Sequence, residues 1–182
     1  KLKYETLDKR YFPTKGLKTN IFYTIYTNLH TNTAYSSLAT QITKIFPITL
    51  NTFIIPTIYG RFIFNDGIPF MYSNVIGGEG YNPHYEQQIP FSGLTHTEST
   101  LKLLGNAQIQ VRHKFHEKQY LTLSGNYAIH QNQFSNFLQG KKIYGTSIGY
   151  GYDSPLGPIE GFICYSNRTN KLGFYLNIGF GF

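Results

Sequence analysis

The 182 residues suffice for one ordinary domain, and 41% hydrophobic against 14% charged residues excludes a disordered chain or an acidic tail. With 16 Tyr, 15 Phe and 18 Gly but no Trp, the chain carries too many rings and glycines for a helical domain, so an all-β fold is expected. The single cysteine, Cys164, excludes an intrachain disulfide and a cysteine metal cluster, while the net charge of +7 fits nucleic acid, an anionic membrane surface or a basic interior.

Apolar runs such as Phe53-Ile54-Ile55-Pro56 fall far short of the roughly 18 to 20 residues of a spanning helix, so no transmembrane helix is expected. The stretch Lys1-Leu2-Lys3-Tyr4-Glu5 lacks the charged-then-apolar pattern of an export signal, which is expected outside these residues. Strands are predicted over residues 1–12, 17–30, 34–46, 52–65, 97–116, 119–131, 140–153, 156–166 and 171–182. Their evidence is alternation: Leu17, Thr19, Ile21, Tyr23 and Ile25 oppose Lys18, Asn20 and Thr24, and Leu121, Leu123, Tyr127 and Ile129 oppose Thr122, Ser124, Asn126 and His130. From Leu101 onward Ile109, Val111 and Phe115 oppose Gln108, Gln110, Arg112 and Lys114, and at the end Phe174, Leu176, Ile178, Phe180 and Phe182 share one parity.

Such patterns outlast the ordinary strand of about 5 or 6 residues and match the length of a tilted membrane strand. The connections also differ in kind. Pro13-Thr14-Lys15-Gly16, residues 47–51, Glu117-Lys118-Gln119 and Ser154-Pro155-Leu156-Gly157 are short, whereas 31–33, 66–95, 131–139 and 167–170 are looser. If the chain ends in the periplasm, the short ones are periplasmic turns and the others extracellular loops, the outer-membrane pattern. Nine antiparallel strands cannot close a barrel simply, and open edges in hydrocarbon leave backbone groups unsatisfied. Missing strands are therefore expected upstream or on another chain.

The turns Phe12-Pro13-Thr14-Lys15-Gly16, Ile76-Gly77-Gly78 and Ser154-Pro155-Leu156-Gly157-Pro158, with the alternation ending at Phe182, resemble the bacterial surface antigen superfamily. That superfamily includes the outer-membrane assembly factor and the two-partner secretion transporters. The resemblance implies a transmembrane antiparallel β-barrel of sixteen strands, of which residues 1–182 supply the C-terminal nine, with five strands after a long lumen loop at about 66–95. It implies Gly77, Gly78, Glu79, Gly80 and Tyr81 as the lumen-loop tip, and Phe174, Leu176, Ile178, Phe180 and Phe182 as a C-terminal assembly signal. The stretches Ile76-Gly77-Gly78 through Leu94 and Tyr165-Ser166-Asn167-Arg168 through Phe182 look most like the barrels of bacterial patatin-like phospholipases. The Arg-Gly-aromatic tip of the assembly factors and transporters is replaced here by Glu79-Gly80-Tyr81. The expected role is thus an outer-membrane barrel that anchors, displays or passes an attached domain. Its partners are lipid, lipopolysaccharide, the remaining strands and the barrel assembly machinery. An assembly or secretion transporter, or a small oligomeric porin or adhesin, is the alternative.

Catalytic chemistry is not expected in these residues. Gly145-Thr146-Ser147-Ile148-Gly149 satisfies G-x-S-x-G, but that elbow needs a strand-to-helix turn, and here Tyr144, Thr146, Ile148 and Tyr150 alternate with glycines in a continuous strand. A patatin serine site would lie upstream. His113 and His116, three apart on a strand, point to opposite faces, and His30, His84, His96 and His130 fall near loops, so neither a metal nor another cofactor is expected. Scattered basic residues, with Lys141-Lys142 at the outer rim, make a cationic lumen and lipopolysaccharide contacts better uses of the charge than nucleic acid.

Overall fold

The computed structural model describes residues 1–28, 33–64, 69, 72–78, 87–94 and 96–179. Alternating side chains on β-branched and aromatic-rich segments form strands β1 (Leu2–Glu5), β2 (Gly16–Asn28), β3 (Thr33–Pro47), β4 (Thr52–Ile63), β5 (Asn74–Ile76), β6 (Gln88–Ile89), β7 (Glu98–Thr100), β8 (Leu103–His116), β9 (Gln119–Gln131), β10 (Lys141–Ser154), β11 (Gly157–Ser166) and β12 (Leu172–Ile178). Nine of these make one antiparallel sheet in the order β1-β2-β3-β4-β8-β9-β10-β11-β12. The other three form a small sheet, β6-β5-β7, inside the connection from β4 to β8. The large sheet is open, with β1 and β12 as its outer strands.

The polarity of this sheet is the reverse of a water-soluble one. Along β9, Leu121, Leu123 and Tyr127 are exposed while Thr122, Ser124 and Asn126 are buried; Leu123 is 57% exposed and its neighbour Ser124 only 5%. The same rule puts Ile109 and Val111 outside and Asn106 and Arg112 inside on β8, and Ile148 and Tyr150 outside and Ser147 inside on β10. Apolar side chains facing away from the protein need a surrounding that is not water, which is the arrangement of a membrane barrel wall.

What buries the inner face is the chain's own connections. Ile76, Ile89, Phe91 and Leu94 from the β4–β8 connection pack on Tyr59, Leu104, Ala128 and Ile143, which project inward from β4, β8, β9 and β10. Those four mark one end of the sheet, here termed the long-loop end. At the opposite, short-turn end, Leu7 packs on Ile45, Phe53 and Ile55 of β3 and β4.

The predicted strands correspond one for one to the nine of the large sheet, with three differences. The strand expected over 1–12 stops at Glu5, because the Asp8 carboxylate accepts hydrogen bonds from the Thr14 N–H (2.8 Å), the Thr14 hydroxyl (2.5 Å) and the Lys15 N–H (3.3 Å), turning the chain inward. The strand expected over 97–116 is two, β7 and β8, parted where Asn74 Nδ2 donates to the Leu101 and Lys102 carbonyls at 2.8 Å each. The loop expected over 131–139 contains a 3-10 helix, Phe134–Gln139, in its second half.

Candidate functional site

The inner face carries the site, and register builds it. Gly145 lies opposite Asn126 and Ser147 opposite Ser124 across β9 and β10, so a glycine and two hydroxyls point inward side by side. Onto them folds the segment Phe91-Ser92-Gly93-Leu94. The Ser124 hydroxyl lies 2.9 Å from that of Ser92 and 2.6 Å from that of Ser147, and Ser147 donates to Ser92 at 3.2 Å, which closes a ring of three buried hydroxyls. One residue on, Gly93 has φ +88° and lies so close to the backbone of Tyr165 and Ser166 that a side chain would collide with it. Ser166 donates to the Gly93 carbonyl at 3.0 Å. A buried hydroxyl left without a partner would cost about 1–3 kcal/mol, so these bonds hold the segment to one seat.

Gly77 and Gly78, expected at the loop tip, lie inside this clamp. Both have positive φ, +124° and +76°. The Gly77 N–H donates to the Ile89 carbonyl (2.9 Å) and Gln88 Nε2 donates back to the Gly77 carbonyl (2.8 Å). The Gly78 N–H donates to Leu94 (2.6 Å) and the Phe91 N–H to Gly78 (2.9 Å). A Cβ on Gly77 would run into the His96 carbonyl oxygen, so glycine is required there by conformation and by space alike. Glu79, Gly80 and Tyr81 lie outside the described residues, as do Phe180 and Phe182, together with His30, His84 and Asp66. Phe174, Leu176 and Ile178 form an exposed row on the outer face of β12.

Further bonds tie the connection to the wall. Arg61, buried on β4, donates to Asn74 Oδ1 at 2.7 Å, and Arg168 donates to the Glu98 carboxylate at 2.9 Å from the turn after β11.

The short-turn end is closed by a different element. Phe12, a residue with φ +45° and only 1% exposed, turns its ring into the interior. There it stacks on Tyr120 with centroids 4.3 Å apart and planes within 3°, and the Arg112 guanidinium lies 5.5 Å from its centre. Gly151 makes room, since a Cβ there would lie 2.7 Å from the ring. Between this closure and Phe91 remains a cavity of about 210 Å³ bordered by Arg10, Lys18, Arg112 and Glu160 and by the amides of Gln108 and Gln110. Three cations against one carboxylate make it electropositive. The Asp8 carboxyl, in the connection that carries Phe12, is pulled two ways: burial raises its pKa, and the bonds from Thr14 and Lys15 outweigh that and hold it below the ordinary value.

G-x-S-x-G at Gly145–Gly149 is uninterrupted strand, and the Ser147 hydroxyl meets those of two other serines rather than a histidine. Its glycines face inward, where Gly145 meets the Ser92 carbonyl and Gly149 the Phe162 ring. The alternation that separates His113 from His116 breaks at a bulge between Lys114 and His116, so the opposite-face argument does not extend across it; His113 Nδ1 lies 2.9 Å from Thr52 Oγ1. Sequence reasoning missed Ser92, Ser124, Gly93 and Phe12. One signal was present: Leu104, Ala128 and Ile143 are apolar residues on the inward parity of three adjacent strands, as a seat for an apolar segment requires.

An antiparallel sheet with apolar side chains outside, polar ones inside and a long connection folded onto its inner face defines a segment of an outer-membrane-type β-barrel wall. A family model described as the OMP85 superfamily matches residues 1–182, and the chain belongs to that superfamily, an outer-membrane family of Gram-negative bacteria. No curated protein matches the chain.

Proposed function

We propose that residues 1–182 are the C-terminal nine strands of a sixteen-stranded outer-membrane barrel that anchors an attached domain, with a lumen held shut by the β4–β8 connection. The observation that carries this is the inverted polarity of the nine-stranded sheet, whose exposed face is dominated by apolar side chains. The outer edges of β1 and β12 are the places where further strands complete the ring, because hydrocarbon offers no hydrogen bonds to an open edge. In this reading the short-turn end faces the periplasm, Gly77 to Tyr81 form the lumen-loop tip, and Phe174, Leu176, Ile178, Phe180 and Phe182 are the signal read by the barrel assembly machinery.

The attached domain is assigned to the patatin-like phospholipase class on the resemblance of the loop and C-terminal stretches and on Glu79-Gly80-Tyr81, which lacks the cation of the assembly and transport tip. The test is fractionation of the full-length protein followed by a lipid-hydrolysis assay. Recovery in outer membranes in a heat-modifiable folded form, with lipid hydrolysis unaffected by Ser147→Ala, is expected. Hydrolysis abolished by that substitution would place the nucleophile in the barrel and overturn this reading, and folded protein without hydrolytic activity would favour the transporter.

A further inference from the structure

The inner cavity has two unlike sides. Gln41, Tyr59 and Asn106 stand in one row across β3, β4 and β8, and Thr43, Thr57 and Gln108 in the next, all six on the inward parity and all bordering the cavity. Ile45, Ile55, Phe91 and Phe162 border the same space and supply its apolar side. The volume of about 210 Å³ lies below the roughly 300–1,000 Å³ of sites for drug-sized molecules, which limits an occupant to about one ring.

The polar side is bonded unevenly. Asn20 Nδ2 donates to Gln41 Oε1 at 3.3 Å, and the Thr43 and Thr57 hydroxyls lie 3.0 Å apart. Tyr59 and Asn106, directly opposite each other across β4 and β8, differ. The two residues are only 9% and 4% exposed, yet the Tyr59 hydroxyl and Asn106 Oδ1 have no hydrogen-bond partner among the described residues. Burying a polar atom in that way is costly, and two such atoms side by side at one cavity wall point to a ligand that satisfies both.

Both orphaned atoms are neutral, and they set different demands. A carbonyl oxygen only accepts, whereas a phenol hydroxyl donates and accepts. A fully ionised anion has no proton to offer Asn106. The bordering cations also have neighbours already, Lys18 with the Glu5 carboxylate at 3.9 Å and the Arg112 guanidinium 5.5 Å from the centre of the Phe12 ring. A sugar ring meets every demand, since its edge carries hydroxyls that donate and accept and its faces carry C–H groups for the apolar side.

We propose that the cavity is a binding site for a neutral sugar ring, with Tyr59 and Asn106 bonding its hydroxyls and Phe91 and Phe162 meeting its C–H faces. The site uses side chains of residues 1–182 only, so it goes beyond the anchoring role and does not depend on which domain is attached.

The test uses the full-length protein refolded in a detergent without a sugar headgroup and titrated with glucose, galactose and mannose by saturation-transfer NMR. At least one hexose is expected to bind saturably in the millimolar range, as about a dozen ligand atoms allow. Tyr59→Phe and Asn106→Leu are each expected to weaken it about fivefold, the worth of one neutral hydrogen bond. Tyr127→Phe, the same change on the outer face of β9, leaves it unchanged. A merely structural Tyr59 hydroxyl would behave differently: its loss would lower the urea midpoint and leave affinity alone, whereas here the midpoint of the sugar-free protein holds or rises as affinity falls. No saturable binding by folded native protein, or equal affinity in native protein and both inner variants, would overturn the site. Displacement of the hexose by an equal concentration of inorganic phosphate would overturn the sugar in favour of an anion.

Discussion

Gly145 has room only for hydrogen: its inward side is filled by the Ser92 carbonyl. A Gly145→Ala substitution is therefore expected to unseat the folded-in segment and lower stability by about 1–3 kcal/mol, the usual cost of overpacking, visible as a lower urea midpoint. Gly125, with nothing within 4 Å of where an alanine methyl would lie, is the matched control and should tolerate the same change. Asp8 gives a pH-dependent counterpart. Because its folded pKa is depressed, the bonds to Thr14 and Lys15 contribute fully above the unfolded value of about 4 and are lost as pH falls through the lower folded value. The stability difference between native protein and Asp8→Asn should thus be constant at neutral pH and shrink below about pH 4, in paired denaturation curves. Asp8 drew no notice in the sequence, and Gly145 stood out only within the glycine parity of the G-x-S-x-G strand, with no sign of which segment meets it. A glycine that admits a carbonyl and a carboxylate that caps a turn are defined by what comes to meet them, and that partner is 53 residues away for Gly145.

At the scale of the element, the strands were legible because period two is a local property, written in neighbouring residues, and membrane strands repeat it for longer than soluble ones. The failures occur where side chains from elsewhere overrule it. Asn74 captures two carbonyls and parts β7 from β8. Asp8 ends the first strand seven residues early, and the glycine pair Gly60 and Gly105 draws an aromatic turn onto the wall where only a loop was expected. The two faces also predict opposite tolerances. Arginine in place of Leu123, on the outer face, should cost about 2–4 kcal/mol if that position sits near the bilayer midplane. Arginine in place of Gln110, beside the inner cavity, should cost far less. Folded yields of the two variants in vesicles make the comparison, and equal yields would contradict the assignment of faces.

For the whole molecule, the inner face of the sheet is covered twice, by Phe91 to Leu94 near the long-loop end and by Phe12 near the other, and in the proposed barrel these would be two closures in series. The sequence led to an expectation of a lumen loop for the long 66–95 connection and to none for Phe12, which lies in the connection between β1 and β2, predicted as a short turn that gives no hint of a ring folded inward. Electrical resistances in series add, so in planar bilayers of the full-length protein Phe12→Ala alone, or replacement of residues 87–94 by a glycine-serine linker alone, should raise conductance little. Both together should raise it by much more than the sum and favour anions, as the three cations of the cavity require. A genetic screen would meet the same arrangement as redundancy. Cells carrying either lesion would remain as resistant to large antibiotics as their parent, and sensitivity would surface only when the two are combined, so a search for single leaky alleles would pass over both closures.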